Sequence, residues 1–391
     1  MGKKILHLAD LHLGSGHDYL GVDAAKRAAE TDSVLDRIAD WITACESTDV
    51  GAILIAGDLF QTPWPDEDLV TRVVRALDRI RQAGIDLITV PGNHDEWTYA
   101  DGVFRKWASS WPGTLVRNTE PEVVATLEIE GYKVEVVSCT FHQGRNPPSS
   151  GWKNPLTDKR TTGVRRIGLF HGTLDRLGGI ITEGERAFTL DFQRLAGWGL
   201  DYLALGHIHK RQTLREDDCI AVYPGPIEGR GFDDTGYPQL CLIDVVPSIP
   251  QVQTLDGAAL GIRSRKVETL AIDLVRIADS KALEREILSA TNPDRPPPIL
   301  RVDLHGSADF SWSPDELHRS LVSHFLHLEI AADRPIGSLG DWERLASQRS
   351  LEGIFVAKLI ERRNATDSPD EQTIWNGAAA AGLRALGRGR E

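Results

Sequence analysis

Five short motifs lie in order along the 391-residue chain: Asp10-Leu11-His12, Gly57-Asp58, Gly92-Asn93-His94-Asp95, the single His171, and Gly206-His207-Ile208-His209. Together they supply carboxylate, imidazole and amide groups, with no thiolate. That donor set suits a pair of divalent transition ions. Ions about 3.5–4 Å apart share a hydroxide, lower its pKa and clamp phosphoryl oxygens for in-line attack. Asp10 and His12 are expected on one ion, with His209 returning to it, and Asn93, His171 and His207 on the other. Asp58 can serve both, because a carboxylate has two oxygens and a full negative charge. His94 is left to act as general acid or to stabilise charge at the leaving oxygen. Mn²⁺ is the expected ion, with Mg²⁺, Fe²⁺ and Zn²⁺ as alternatives. Taken singly, each motif is weak, and Gly-Asn-His-Asp alone reads equally well as a turn. Their order along one chain is what carries weight.

These groups need elements to place them. Residues 5–9, 52–56, 85–90, 166–170 and 202–205 are apolar runs that read as strands, and each stands just before a motif. Residues 24–45 read as one helix, with Val34, Leu35, Ile38, Ile42 and Cys45 on one face. Residues 66–83 read as another, opened by Asp66, Glu67 and Asp68, which suit a helix N-terminus. The alternation predicts an α/β core whose strands are buried on both faces. Loops after parallel strands lie at the carboxyl edge of the sheet, where open α/β folds place their sites.

From about residue 122 the rhythm turns to strands: a hairpin around Gly131-Tyr132, then runs at 166–170, 202–205, 220–223 and 239–245, with a short helix at 190–197. This half is expected to form a second sheet packed on the first. A long loop at 141–166 holds Arg145, Lys153, Lys159, Arg160, Arg165 and Arg166. Loose sequence at 247–266 marks a boundary, followed by strand, helix, Pro-rich turn, strand, helix and strand up to residue 332. The expected domains are 1–250, a small α/β module at 265–335, and a charged helical region at 340–391. In the last, Leu351, Ile354, Phe355, Lys358 and Leu359 are read as one stripe, and 373–386 as a further one.

The net charge of −13 lowers the expectation of a free-standing nucleic-acid binder, which is more often basic. It leaves room for a local basic rim or for a partner that supplies the affinity. Cys45, Cys139, Cys219 and Cys241 are scattered, which speaks against a zinc knuckle or a disulfide framework and fits a reducing cytoplasm. The N-terminus shows no secretory h-region, and no apolar run has the length of a membrane span. His7 lies inside the first strand and reads as a core residue or a support for a ligand. His17 and His142 lie in loops from which they could reach substrate, and His305, His318, His324 and His327 read as structural.

At the motifs and their flanks, the chain resembles the calcineurin-like metallophosphoesterases, and among them the SbcD-type DNA repair exonuclease subunits. The flanks are Leu8-Ala9-Asp10-Leu11-His12-Leu13-Gly14, Ala56-Gly57-Asp58-Leu59-Phe60, Val90-Pro91-Gly92-Asn93-His94-Asp95, Leu203 to Lys210, and Tyr223-Pro224-Gly225-Pro226-Ile227-Glu228-Gly229-Arg230-Gly231-Phe232. The resemblance covers roughly the first 245 residues. It implies a four-layer αββα sandwich with a small α/β capping domain and a helical C-terminal region. It also implies a Mn²⁺-dependent exo- or endonuclease on DNA, the metal and catalytic roles given above, a coiled-coil ATPase partner of the SbcC type bound through the helical tail, and a homodimer. In that family a histidine often stands three residues after the bridging aspartate. Here it is Gln61, which hydrogen-bonds but cannot exchange a proton near neutral pH. Intact metals with slower or narrower chemistry are therefore expected. Asp95, Arg165, Arg166, Lys210 and Arg230 are read as candidates for substrate contact or support. The rival readings are a phosphoesterase for nucleotides or cyclic nucleotides, and a metal-bearing scaffold for DNA ends or an ATPase.

Overall fold

The computed structural model describes residues 4–44, 49–143, 149–156, 162–177, 188–236, 239–306, 308, 310, 312–332, 345–348 and 350–366, with 368, 371, 374, 375, 378 and 382 beyond them. The chain divides into two compact units, Met1–Glu268 with Asp294–Pro297, and Thr269–Pro293 with Pro298–Glu391.

The first unit opens with β1 (Lys4–Leu8), α1 (Ala24–Asp32), α2 (Val34–Ala44), β2 (Val50–Ala56), α3 (Glu67–Gln82) and β3 (Asp86–Val90), then α4 (Val103–Trp107) and the short β4 (Thr114–Leu115). β1, β2, β3 and β4 pair in parallel in that order. Every residue of β2 is buried, as a strand covered on both faces must be. The Asp66 side chain caps α3 by accepting from the N–H groups of Asp68 and Leu69. The helix expected at 24–45 is broken at Ser33. The Ser33 hydroxyl turns back to the Glu30 carbonyl, and the Asp32 carboxylate is drawn off to the Gly14 N–H. Such local side-chain bonds compete with helix continuation.

The second sheet is built from β5 (Glu122–Ile129), β6 (Tyr132–Ser138), β7 (Val164–Leu174), β8 (Phe188–Leu190), β9 (Tyr202–Gly206), β10 (Gln212–Glu216) and β11 (Cys219–Tyr223), with α5 (Phe192–Gly197) between β8 and β9. Its order is β10-β11-β9-β7-β6-β5, with β8 added beside β7. The run at 239–245 does not join it. β12 (Gln239–Asp244) pairs antiparallel with β1, and β13 (Gln251–Asp256) extends the first sheet beyond it. β13 lies in the stretch read as loose, because this polar edge strand buries too little to show a clear apolar pattern.

Three layers of apolar contact hold the unit together. One face of the first sheet, including Leu6, Ile53 and Leu87, packs on Leu35, Ile38, Val73 and Leu77 of α2 and α3. Its other face, with Ile5, Leu54 and Ile88, meets Val134, Ile167 and Ala204 of the second sheet. The far face of the second sheet packs Phe170 and Leu203 against Trp152, Phe192 and Leu195. The result is an αββα sandwich whose fourth layer is thin, a six-residue helix and the Trp152 segment.

The second unit carries β14 (Val267–Asp273), α6 (Ser280–Leu288), β15 (Ile299–His305), α7 (Pro314–Leu321), β16 (His327–Ala332) and α8 (Leu351–Asn364). β14, β15 and β16 form a three-stranded sheet with its own core around Leu283, Leu300, Val302 and Leu317. The stripe read on α8 is split. Val356 and Leu359 face inward, whereas Leu351 and Ile354 are exposed. Most of the further stripe at 373–386 lies outside the described residues. No helix among the described residues is long and apolar enough to cross a membrane.

Two arginines read as candidates for DNA contact belong instead to this scaffold. Arg165 is buried at the start of β7, and its guanidinium donates to the carbonyls of Val245, Val246 and Pro247 while lying 4.5 Å over the Tyr132 ring. Arg166 is buried as well and pairs with Glu135 at 3.2 Å. Both stand at the opposite end of β7 from His171, about 17–20 Å away at the usual strand rise. Arg145, Lys159 and Arg160 of the same basic loop lie outside the described residues. Arg165 thus ties the chain leaving β12 to the second sheet. Arg165→Met should lower the unfolding free energy by about 2–3 kcal/mol in urea titrations, since buried carbonyls lose a charged donor. Mn²⁺ binding by the same variant should be unchanged.

Candidate metal centre

The carboxyl ends of both sheets meet at one place. Asp10 and His12 follow β1, Asp58 follows β2, Asn93, His94 and Asp95 follow β3, His171 lies late in β7, and His207 and His209 follow β9. Hydrogen bonds sew the loops together across the sheets. The Asp10 N–H donates to the Gly57 carbonyl at 3.1 Å, the His12 N–H to the Asp58 carbonyl at 2.9 Å, and the His207 N–H to Asp10 Oδ1 at 2.9 Å.

The backbone is bent hard to bring this about. Asp10, His12, Asp58 and His207 all have positive φ, at 55°, 45°, 49° and 102°. Few side-chain-bearing residues adopt that region, and such outliers cluster at functional sites. Two glycines make the approach possible. A Cβ on Gly57 would collide with the His171 ring, and one on Gly92 with the Asp58 carboxylate.

The side chains converge in two overlapping groups. Asp10, His12 and His209 lie together, with His12 Nε2 3.0 Å from His209 Nε2. On the other side, Asn93 Oδ1 is 2.8 Å from His171 Nε2 and 3.0 Å from His207 Nδ1. Asp58 Oδ2 stands between them, 3.6 Å from His12 Nε2 and 3.4 Å from His171 Nε2. Its other oxygen accepts the His94 N–H at 2.9 Å.

The far nitrogens of His171 and His209 are fixed in the way that suits a metal-binding ring. His171 Nδ1 donates to the Ala56 carbonyl at 2.9 Å, which turns Nε2 into the cluster. His209 Nδ1 donates to Asp234 Oδ2 at 2.9 Å, again leaving Nε2 inward. His94 Nδ1 meets the Gln61 backbone carbonyl at 3.0 Å. Asp10 Oδ2 and His12 Nδ1 are buried with no hydrogen-bond partner among the described residues. An unsatisfied carboxylate oxygen inside a ring of imidazoles is costly unless a cation meets it, so the residues present fit a divalent metal.

The electrostatics agree. Burial pushes Asp10 up to about 6 against the pull of His171 and His209. Burial lowers His12 to about 3 and His207 to about 4. Burial would also raise Asp58, but His171 and His12 hold it far below the usual carboxylate range. For His171 burial works downward, and the Asp58 charge overrides it and lifts the ring to about 9.

Other residues of the sequence reading fall into different places. Asp95 is fully buried and does not face substrate. It accepts from the N–H groups of Phe60 and Gly92, fixing two of the loops, and burial followed by the Asp58 charge raises it to about 7. Gln61 and Arg230 are adjacent, with Arg230 Nη1 donating to Gln61 Oε1 at 3.2 Å, and Lys210 is exposed beside the last motif. His17 is buried against Thr31 and the Arg230 carbonyl, and His142 is buried too. His7 is buried between the sheets on the Tyr202 hydroxyl. Asp234, which orients His209, went unnoticed in the sequence, as did Ser15, whose hydroxyl donates to the His12 carbonyl at 2.7 Å and lies 3.0 Å from Gln61 Oε1. Only their nearness to the motifs could have signalled them.

Residues 3–211 match the model of the calcineurin-like phosphoesterase family. The chain belongs to that family. Its relatives include the uncharacterized metallophosphoesterase YhaO of Bacillus subtilis, 30% identical over 61% of this chain, which spans 57% of that protein. The SbcD component of nuclease SbcCD from Bacillus subtilis is 26% identical over 95% of this chain and 96% of its own. The DNA double-strand break repair protein Mre11 of Saccharolobus solfataricus is 24% identical over 78% of this chain and 75% of its own. Metallophosphoesterases use divalent metals, and the clustered carboxylates and imidazoles make a candidate centre for them.

The raised His171 gives the centre a pH dependence with a definite sign. Below about 9 its ring holds a proton that a metal at Nε2 must displace. Mn²⁺ affinity should therefore climb with pH, by about tenfold per unit for each proton displaced, between pH 7 and 9. Calorimetry in buffers of differing ionisation enthalpy should show proton release, and Asp58→Asn should lose both the metal and the release.

Proposed function

We propose that the chain is a DNA nuclease that hydrolyses phosphodiester bonds with two divalent ions, Mn²⁺ in the first place, as the nuclease subunit of a complex with a coiled-coil ATPase of the SbcC type. The observation that carries the reading is the convergence of Asp10, His12, Asp58, Asn93, His171, His207 and His209 where the carboxyl ends of the two sheets meet, on a chain aligned almost end to end with the nuclease component of an SbcCD complex. Asp10, His12, Asp58 and His209 would hold one ion, and Asp58, Asn93, His171 and His207 the other. Bound there, they would draw charge from the phosphodiester and lower the pKa of the attacking water.

The chain's own residues supply the rest. His94, fixed through Nδ1 on the Gln61 carbonyl, lies with its ring 4.7 Å from that of His12. Nε2 is left to give a proton or a hydrogen bond to the leaving oxygen, a role worth about 10²–10⁴ in rate. The support comes from the main chain at position 61, so the glutamine side chain is not needed to aim His94. Leu351 and Ile354, exposed on α8, offer apolar contacts for an ATPase partner. A second reading, a phosphoesterase for nucleotides or cyclic nucleotides, is favoured by the charge of −13 and by the burial of Arg165 and Arg166, which thins the basic path a strand would follow.

End-labelled single- and double-stranded DNA assayed with Mn²⁺ beside bis-p-nitrophenyl phosphate separates the two. The nuclease reading expects DNA degradation that falls by at least about a hundredfold in His94→Ala. Turnover of the small diester with DNA untouched, even after an ATPase partner is added, would leave the second reading standing. Leu351→Glu combined with Ile354→Glu should weaken co-purification with the ATPase and leave hydrolysis of the small diester as it was.

A further inference from the structure

Beside the centre lies a cleft of about 300 Å³ lined by Ser15, Gly16, Gln61, Arg230, Phe232 and Asp234. Arg230 is held firmly in it. Its Nε donates to Asp234 Oδ2 at 2.8 Å and its Nη1 to Gln61 Oε1 at 3.2 Å. The turn that carries it is closed by the Arg230 N–H on the Asp234 carbonyl at 2.8 Å. Its Nη2 lies 2.9 Å from His209 Nδ1, but that nitrogen already gives its proton to Asp234 and cannot accept. A guanidinium has five N–H donors, and the remaining ones have no acceptor assigned among the described residues. They sit one imidazole ring beyond His209 Nε2, which turns toward the metal centre. The Asp234 charge is matched by Arg230, and Asp233, which also lines the cleft, is exposed, where water screens it.

We propose that this cleft is a second phosphate subsite, in which Arg230 binds the phosphate next along the substrate from the one at the metal centre. The guanidinium is suited to this because its planar fork meets two phosphoryl oxygens at once. Gln61 Oε1 accepts from Arg230, so the residue that departs from the family histidine aims the cation instead of acting as one. The subsite would prefer nucleotides and strands carrying two neighbouring phosphates over isolated phosphate esters. This rests on the phosphodiesterase reading of the centre, but not on DNA being the substrate.

Thymidine 5′-monophosphate and thymidine 3′,5′-bisphosphate titrated calorimetrically into Mn²⁺-loaded protein test it without turnover. The bisphosphate should bind at least about tenfold more tightly, as a bidentate charge-assisted pair allows. In Arg230→Met the advantage should shrink to less than about threefold, in Arg230→Lys it should be kept in part, and Asp233→Asn should enlarge it. If Arg230→Met no longer takes up Mn²⁺, Gln61→Leu decides, since it leaves Asp234 and all candidate ligands in place and should still reduce the advantage severalfold. Equal affinities in the unaltered protein, or an advantage that survives both substitutions, would overturn the subsite. Intact DNA in the nuclease assay beside a bisphosphate advantage would sink the nuclease reading alone.

Discussion

The carboxylate of Asp58, cut off from water and set among His12, His171 and the His94 N–H, is the constraint around which the first unit is organised. A buried charge of this kind is tolerable only with opposite charge or donors on every side. Those donors come from the loops after β1 and β3 and from β7 itself, strands of two different sheets. The sandwich must therefore bring two carboxyl edges together, and the apolar contacts between Ile5, Leu54, Ile167 and Ala204 supply the free energy that holds them there. Positive φ at four of the candidate ligands is the local cost, about 1–3 kcal/mol at each if the surroundings enforce it.

A second buried charge, away from the metal ligands, secures the rim. Arg27 of α1 is fully buried and donates to Glu228 at 3.0 Å, to the Gly229 carbonyl at 2.8 Å and to Ser264 at 2.7 Å. Glu228 also takes the Ser264 N–H and the Arg37 guanidinium. This network fastens the turn at 229–236 to α1 and α2. That turn presents Arg230 and Asp234, so the orientation of His209 depends on helices far from it in sequence. Removing one partner from such a buried cluster costs about 3–5 kcal/mol, because the other charge is stranded.

The arrangement also separates two jobs at position 61. The backbone carbonyl fixes His94, while the side chain accepts from Arg230. A change of side chain there can alter what surrounds the substrate without disturbing the proton donor.

Much was legible before folding. That Asp10, His12, Asp58, Asn93, His171, His207 and His209 come together could be anticipated because each stands at or just after the end of an apolar run, and local sequence decides where such a run ends and which polar residues come next. The helix at 66–83 was legible for the same reason, since its apolar period and its Asp66 cap are both local signals. What failed was decided at a distance. Arg165 and Arg166 read as surface cations because sequence cannot show that Val245, Val246, Pro247 and Glu135 await them. The run at 239–245 was placed in the wrong sheet because a strand's own pattern states its burial but not its neighbour. The break at Ser33 and the support of His209 by Asp234 likewise depend on partners far along the chain or on competing side-chain bonds. Residue order alone dictated the chemistry of the ligands and the strands that deliver them. Which oxygen of Asp58 accepts the His94 N–H, which basic residues reach the cleft and which are consumed inside were left to the folded arrangement, because hydrogen bonds and ion pairs between distant residues are settled only when the two sheets close on each other.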